Sequence, residues 1–434
     1  MDKKVVTRMP PSPTGPFHIG SVRTALYNYL YAKQNDGKFI LRIEDTDIER
    51  SKKEFEDNII ESLKWLSMPY DEFYRQSERT EIYKKYLQDL LDKNLIYISK
   101  EEIKEEGDRA EVIRFRNPNK KIKFNDLVLG EIEFDTSELK DFVIAKDLET
   151  PLYHFAVVVD DMLMKVSHII RGQDHISNTA RQILILEALG GSRPEYAHIP
   201  LILSPDKSKL SKRHGALSTL EYREMGYLPE AILNFVALIG WNPGHGKEIF
   251  THEELLKEFS LERIQKSGGV FNVDKLNWIN KEHIKMLPID VVENKILELL
   301  PKNMRNPKLV PLILERISKW GDVKELLGAG ELDFFFKQIE IQKEKLLYKN
   351  TTIEKTHTNL MLAVKSLEEL NENNFTVENI KQALMQIANN LENRGELLHP
   401  VRYALSGRDK SPDPFIIASI IGKNETLSRL QKAI

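Results

Sequence analysis

Cysteine is missing from all 434 residues, which excludes disulfides and every thiolate metal site. The nearest approach to a metal motif, His252-Glu253-Glu254-Leu255-Leu256, lacks the second histidine of a zinc-protease helix and reads as an exposed helix start. No zinc and no other resident metal site is expected. A Walker A loop is missing too, because Gly37-Lys38, Gly246-Lys247 and Gly422-Lys423 are each followed by something other than Ser or Thr. Nor does charge of one sign dominate. Lys and Arg number 63 against 66 Asp and Glu, a net charge of −3, so any contact with a polyanion has to come from a local basic surface. No charged-then-apolar stretch opens the chain, and no apolar run approaches the roughly 18 residues of a membrane span. A cytoplasmic protein with no membrane partner is expected. Internal repeats and low-complexity linkers are likewise absent.

With 41% hydrophobic and 30% charged residues the chain is globular, and at about 150 residues per domain it should hold roughly three domains. The most informative stretch runs from Arg8 to Asp47. A short apolar alternation, Val5 to Met9, reads as a strand and enters a turn rich in Pro and Gly (Pro10, Pro11, Pro13, Gly15, Pro16). Ile19, Val22, Leu26, Tyr29 and Leu30 then recur at helical spacing, Gly37 marks the far end, and Lys38 to Ile43 forms the next strand, running into Glu44, Asp45 and Asp47. This is a βαβ unit. The first N–H groups of its helix are unpaired and favour an anion at the turn, where His18 can donate to a phosphate oxygen and Gly20 permits close approach. Any α/β protein can have such a turn, so the turn alone does not establish phosphate binding.

A second basic loop, Ser204-Pro205-Asp206-Lys207-Ser208-Lys209-Leu210-Ser211-Lys212-Arg213-His214-Gly215, would by itself read as a solvated surface loop. Taken together, HIGS at 18–21 and KLSKR at 209–213 resemble the paired signature motifs of class I aminoacyl-tRNA synthetases. PSPTGPFHIGS, LRIEDTD, YHFAVVVDD and IIRGQDH resemble the glutamyl-tRNA synthetase branch of that class. Similarity continues through YLPEAILNFVALIGW, GGVFNVDKLNWIN and ALSGR, over nearly the whole chain. Ser21 stands where the generic class motif has His, and Val157 where some relatives have Asn.

The resemblance implies a Rossmann-like parallel-sheet α/β catalytic domain in two halves, residues 1–83 and 153–210. Between them lies an inserted α+β acceptor-stem-binding domain, residues 84–152. A mainly helical stem-contact domain, 211–312, and an all-helical anticodon-binding domain, 313–434, follow. It also implies the site. His18, Gly20, Lys209 and Lys212 would be catalytic and would hold ATP together with Ser12, Asp174, His175, Leu201 and Ile202. Arg8 and Arg171 would face the carboxylates of glutamate, Glu44 its ammonium group, Tyr153 its side-chain carboxylate, and Ser12 the bound substrates. ATP, Mg²⁺, L-glutamate and tRNA-Glu, with tRNA-Gln as a second possible acceptor, are the expected partners of a monomer. Class I membership implies esterification of the 2′-hydroxyl of the terminal adenosine.

Along the rest of the chain, the local pattern predicts an amphipathic helix from Lys53 to Leu66 and another from Tyr86 to Leu95. Short strands follow at Val112 to Arg116 and Glu131 to Phe134. Tyr153 to Met164 and Val166 to Arg171 read as strands re-entering the core, with Asp174 and His175 at the carboxyl end where open α/β sheets place ligands. A helix from Ser177 to Leu189 and a strand from Pro200 to Leu203 come next. Past Gly215 the pattern turns helical, with an apolar helix at Leu228 to Ile239 and a stripe of Ile380, Ala383, Leu384, Ile387, Ala388 and Leu391. Ser411-Pro412 reads as a further helix start, and Arg402, Arg408 and Lys410 are candidate phosphate contacts.

Other readings exist. A glutamyl-queuosine synthetase would lack a C-terminal domain of this size, and a glutaminyl-tRNA synthetase would carry β-barrels where this pattern is helical. A catalytically silent RNA-binding relative would have no need of His18, Gly20, Lys209 and Lys212.

Overall fold

The computed structural model describes residues 4–103, 110–208, 210 and 217–434. The chain divides into two compact units, Met1–Met286 and Leu287–Ile434.

The first unit is built on a parallel sheet. Strand β1 (Val6–Met9) leads through the Pro/Gly turn into helix α1 (Ile19–Gln34) and strand β2 (Lys38–Ile43). Helix α2 (Lys53–Trp65) then carries the chain to β3 (Glu72–Arg75). The three strands are parallel in the order β1-β2-β3, with Val6 opposite Lys38 and Ile40 opposite Glu72. Residues 39–43 are buried without interruption, as expected of a strand covered on both faces. Gly37 is required where α1 meets β2, because a Cβ there would overlap the carbonyl oxygen of Val5. That carbonyl accepts the Lys38 N–H at 2.9 Å.

Helix α3 (Thr80–Asp92) leads into the inserted part, whose strands are β4 (Ile96–Lys100), β5 (Glu111–Phe115), β6 (Lys121–Asp126), β7 (Gly130–Asp135), β8 (Phe142–Asp147) and β9 (Thr150–Pro151). Four of them form an antiparallel sheet, β4-β5-β8-β9. The β6–β7 hairpin leaves that sheet and docks on the core instead. The core resumes with helix α4 (Tyr153–Leu163), strand β10 (His168–Gly172), helix α5 (Ile176–Ala188) and strand β11 (Glu195–Ile199), and the hairpin meets β11 where Asp126 lies opposite Tyr196. One seam between the two halves of the core runs from Val6 to Ser167. Ser167 N–H donates to the Val6 carbonyl (2.9 Å), and the Ser167 hydroxyl oxygen accepts the Val6 N–H (2.8 Å).

The segment from Tyr153, expected as a strand, is a helix. Phe155, Ala156, Val157, Val158 and Val159 are all buried, so the helix is enclosed on nearly every side and no amphipathic period marks it. Strand β12 (Ile202–Leu203) pairs with β13 (Gly269–Val270). Helices α6 (Thr219–Glu224), α7 (Pro229–Leu238), α8 (His252–Glu258) and α9 (Val273–Met286) complete the unit. His252 does begin a helix, with Thr251 and Glu254 as a capping box. It is not exposed as expected, because its ring stacks on Tyr29 at 5.6 Å.

The second unit is helical throughout its described secondary structure, with α10 (Ile289–Leu299), α11 (Val310–Arg316), α12 (Asp322–Gly328), α13 (Ile353–Glu368), α14 (Val377–Ala388), α15 (Gly395–Ser406), α16 (Pro414–Ile421) and α17 (Lys423–Ala433). The α14 stripe buries Ile380, Ala383, Leu384 and Ala388. Helix α16 starts two residues later than Ser411-Pro412 suggested, with Asp413 as N-cap and Pro414 at N1. Arg402 donates to Ser411 Oγ at 2.9 Å and Arg408 lies over the Phe334 ring at 5.6 Å, so both guanidinium groups are engaged in the fold, whereas Lys410 is exposed.

Candidate active site

The turn between β1 and α1 is held in place from several sides. Glu44 N–H donates to the Pro11 carbonyl (3.0 Å), Lys52 N–H to that of Pro13 (3.0 Å), and Phe17 N–H to Asn58 Oδ1 (2.9 Å). Ser12 and His18 are exposed on it. His18 is the N-cap of α1, its Nδ1 accepting the N–H groups of Gly20 (3.1 Å) and Ser21 (3.4 Å). With Nδ1 acting as acceptor, the ring proton of a neutral imidazole lies on Nε2. Gly20 has a further use. A Cβ there would lie 3.1 Å from His18 Cε1 and 3.2 Å from Nδ1, so the absent side chain makes room for the capping ring.

Below this turn lies a buried ionic network that the sequence did not reveal. Arg42, fully buried on β2, donates to Asp161 Oδ1 (2.7 Å) and Glu44 Oε1 (2.9 Å), and its Nε lies 3.7 Å from Asp160. Arg8 donates to Asp161 at 3.2 Å, and Arg79 to Asp160 at 2.7 Å. Asp160 also accepts from Gln76 Nε2 (3.0 Å) and the Tyr83 hydroxyl (2.8 Å). Three guanidinium groups thus face three carboxylates, which is how buried charge is tolerated. Burial raises the Asp161 carboxyl, but Arg8 and Arg42 outweigh it and hold it below the usual carboxylate range. Burial pushes Glu44 up to about 7 against the opposing pull of Arg42 and Arg8. A cation brought beside Glu44 would restore its charged form.

Arg171 is placed differently. It is 5% exposed at the end of β10, and its bonds go to neutral partners, Nε to His198 Nε2 (3.3 Å) and Nη2 to Thr179 Oγ1 (2.7 Å). Its Nη1 and that of Arg8 are buried without a hydrogen-bond partner among the described residues. Tyr153, at the start of α4, sits close by. Burial raises its phenol and Glu44 adds to this, while Arg171 and Arg8 pull it down. The structure therefore gathers Arg8, Glu44, Tyr153 and Arg171, drawn from four elements, around one spot. His175 adjoins it, its Nδ1 3.4 Å from the Tyr153 hydroxyl, and burial followed by Arg171 lowers its pKa. Val157 lies one helical turn beyond Tyr153 and is buried.

Of the other candidates, Asp174 is exposed beside His175, Ile202 is buried on β12, and Leu201 is half-buried just before it. Lys209 and Lys212 lie outside the described residues. The chain that follows them is fixed at the turn, since Thr219 N–H and its hydroxyl both donate to the Phe17 carbonyl at 2.8 Å, and Ser218 forms a β-bridge with His18.

The chain matches known families over nearly its whole length. The family described as tRNA synthetases class I (E and Q), catalytic domain, covers residues 4–110 and 96–278, and an anticodon binding domain family covers 273–434. Glutamate–tRNA ligase 1 of Petrotoga mobilis is 41% identical, with 98% of this chain and 97% of that protein aligned. The chain belongs to the glutamate–tRNA ligase family. Another member, from Aquifex aeolicus, is 38% identical over 99% of both chains. A crystal structure of a glutamate tRNA ligase from Elizabethkingia meningosepticum in complex with its amino acid superposes with a TM-score of 0.87 at 32% identity, covering 99% of each chain.

Within this family fold, Arg42, Asp160 and Asp161 were among the residues that sequence reasoning passed over. A signal was present, because an arginine inside a continuous apolar strand and an Asp-Asp pair in an apolar run both require partners. Nothing local says that they serve each other across 119 residues.

Proposed function

We propose that this chain attaches L-glutamate to tRNA-Glu at the expense of ATP, releasing AMP and pyrophosphate. The observation that carries the substrate assignment is Arg171, a buried cation that bonds to neutral groups and whose Nη1 has no hydrogen-bond partner among the described residues, beside Arg8 with an Nη1 in the same condition. A buried guanidinium without a counter-ion favours an anionic ligand. A dicarboxylate with one ammonium group meets Arg171 and Arg8 through its carboxylates, Tyr153 through its side chain and Glu44 through its nitrogen.

Chemistry then requires little of the protein beyond placement. The α-carboxylate of glutamate is already ionised, so its oxygen attacks the α-phosphorus of ATP without a general base. The bond from that phosphorus to the bridging oxygen breaks, and pyrophosphate leaves with the electron pair. His18 Nε2 and the start of α1 would hold phosphate oxygens on one side, Lys209 and Lys212 on the other, and Asp174, His175, Leu201 and Ile202 would frame the adenosine. Mg²⁺ would arrive with the phosphates and screen the pyrophosphate charge. Among the described residues no group of three His, Asp or Glu side chains is arranged to hold a metal by itself. A ribose hydroxyl of the terminal adenosine of tRNA then attacks the carbonyl carbon of the glutamyl adenylate, and AMP leaves. Residues 84–152 would contact the acceptor stem, 211–312 the stem below it, and 313–434 the anticodon. The site of action would be the cytoplasm, with the chain working as a monomer; no described helix is long and apolar enough to cross a membrane.

Charging purified transcripts of tRNA-Glu and tRNA-Gln in parallel with glutamate tests the reading. Glutamyl-tRNA-Glu is the expected product, charging of tRNA-Gln as well would widen the acceptor range, and no charging of either, with no tRNA-dependent pyrophosphate exchange, would leave only an RNA-binding role. A second expectation concerns the turn. His18→Ala takes the imidazole away from the turn, and exchange activity should fall by about tenfold or more, the scale of losing a hydrogen bond to a charged group. A folded His18→Ala protein as active as wild type would remove His18 from the phosphate site.

A further inference from the structure

Arg171 is oriented by a neutral imidazole where a carboxylate would be the more usual partner. We propose that Asp126 and His198 form a relay that sets the orientation of Arg171, making both of them positioning residues for recognition of the glutamate side chain. The proposal rests on the reading of Arg171 as the group that faces that carboxylate.

The relay begins in the inserted part. Asp126 ends β6, where the hairpin docks on β11, and is 1% exposed. Its Oδ1 accepts the N–H groups of Val128 (3.0 Å) and Leu129 (2.9 Å), which fixes the plane of the carboxylate. Its Oδ2 accepts the His198 N–H at 3.0 Å and lies 2.6 Å from His198 Nδ1. An ionised carboxylate can only accept, so Nδ1 carries the proton and Nε2 presents a lone pair. That lone pair is what Arg171 Nε–H meets at 3.3 Å. Thr179 completes the arrangement, its hydroxyl 3.0 Å from Nε2 and accepting from Arg171 Nη2 at 2.7 Å.

Two consequences follow for the guanidinium. Bonds at Nε and Nη2 fix its plane and leave Nη1 as the unpartnered nitrogen. Because the acceptor is neutral, the positive charge is held in place without being neutralised, so it remains available to an incoming anion. An aspartate in place of His198 would compete with the substrate for it. Burial lowers the pKa of His198 even beside Asp126, and a second ring proton would set N–H against N–H at Arg171. Asp126 is therefore what commits the ring to the useful tautomer.

The test measures KM for glutamate and for ATP in aminoacylation of tRNA-Glu, with Arg171→Ala as the reference. Asp126→Asn keeps an oxygen for Val128 and Leu129 but turns an amide N–H toward His198 Nδ1, which moves the ring proton to Nε2. KM for glutamate should rise about 10- to 100-fold, the range for a lost hydrogen bond to a charged group, with KM for ATP little changed. Two substitutions at His198 separate the relay from simple space filling. His198→Asn keeps a donor toward Asp126 and loses the acceptor for Arg171, so it should behave like Asp126→Asn. His198→Gln places its amide oxygen near the Nε2 position and should recover most of the wild-type value. Equal effects of Asn and Gln at 198, or a rise in both KM values together, would overturn the relay. If Arg171→Ala raises KM for glutamate while the 126 and 198 variants do not, the relay alone fails. An Arg171→Ala enzyme with unchanged KM for glutamate would instead bring down the reading on which the relay stands.

Discussion

Arg171→Ala is expected to lower kcat/KM for glutamate by about 10⁴-fold, the discrimination available to a site built on polar complementarity. ATP affinity should be nearly intact, and kcat/KM for glutamine should change little. A guanidinium offers paired donors and no acceptor, so it satisfies a carboxylate with two charge-assisted bonds. An amide presents one acceptor and turns its NH₂ toward the cation. In this structure the guanidinium is buried and the bonds that hold it are to neutral partners, so removing it leaves the side-chain carboxylate to be desolvated without compensation. Aminoacylation of tRNA-Glu with each amino acid measures the effect. If the variant still preferred glutamate by the wild-type margin, the side-chain carboxylate would have to be read by Arg8 with Tyr153.

The second large effect is expected at Lys212. Lys212→Ala should lower kcat by about 100-fold or more while raising KM for ATP far less, because an ammonium group at the transferring phosphate binds the redistributed charge of the transition state more strongly than bound ATP. Residues 218 and 219, just beyond this lysine, are tied to Phe17 and His18 at the turn between β1 and α1. A folded Lys212→Ala protein within about threefold of wild-type kcat would sink the assignment, since loss of one such donor costs at least tenfold more.

How much of this could be read in advance differs from element to element. The β1-α1-β2 unit was plain, because the three- and four-residue spacing from Ile19 to Leu30 marks a helix and the apolar residues Phe39, Ile40, Leu41 and Ile43 follow directly on the Gly37 turn. Helix α4 was misread for the converse reason. Val157, Val158 and Val159 are β-branched and consecutive, and a helix enclosed on nearly every side shows no polar face to betray its period. For the site, the motifs pointed to individual residues but could not supply the arrangement. The facing of Arg42 by Asp161, and of Arg171 by His198 with Asp126 behind it, are contacts between residues far apart in the chain, and such contacts exist only once the sheet has assembled.

The seam between Val6 and Ser167 spans 161 residues of sequence, and this bears on how the protein is made. At about 5–20 residues per second, a ribosome that has placed Val6 in the exit path needs roughly ten to thirty seconds to deliver Ser167. Until then β1 has β2 on one side and an open edge on the other, the kind of edge that pairs with whatever strand it meets. The insertion that separates the halves of the core thus also lengthens that interval, and Asp126 reaches its place only when β11, later still, has been synthesised. Closure of the nascent sheet and assembly of the site around Arg171 accordingly fall close together, between the synthesis of Ser167 and that of β11, with more than half of the 434 residues still to come.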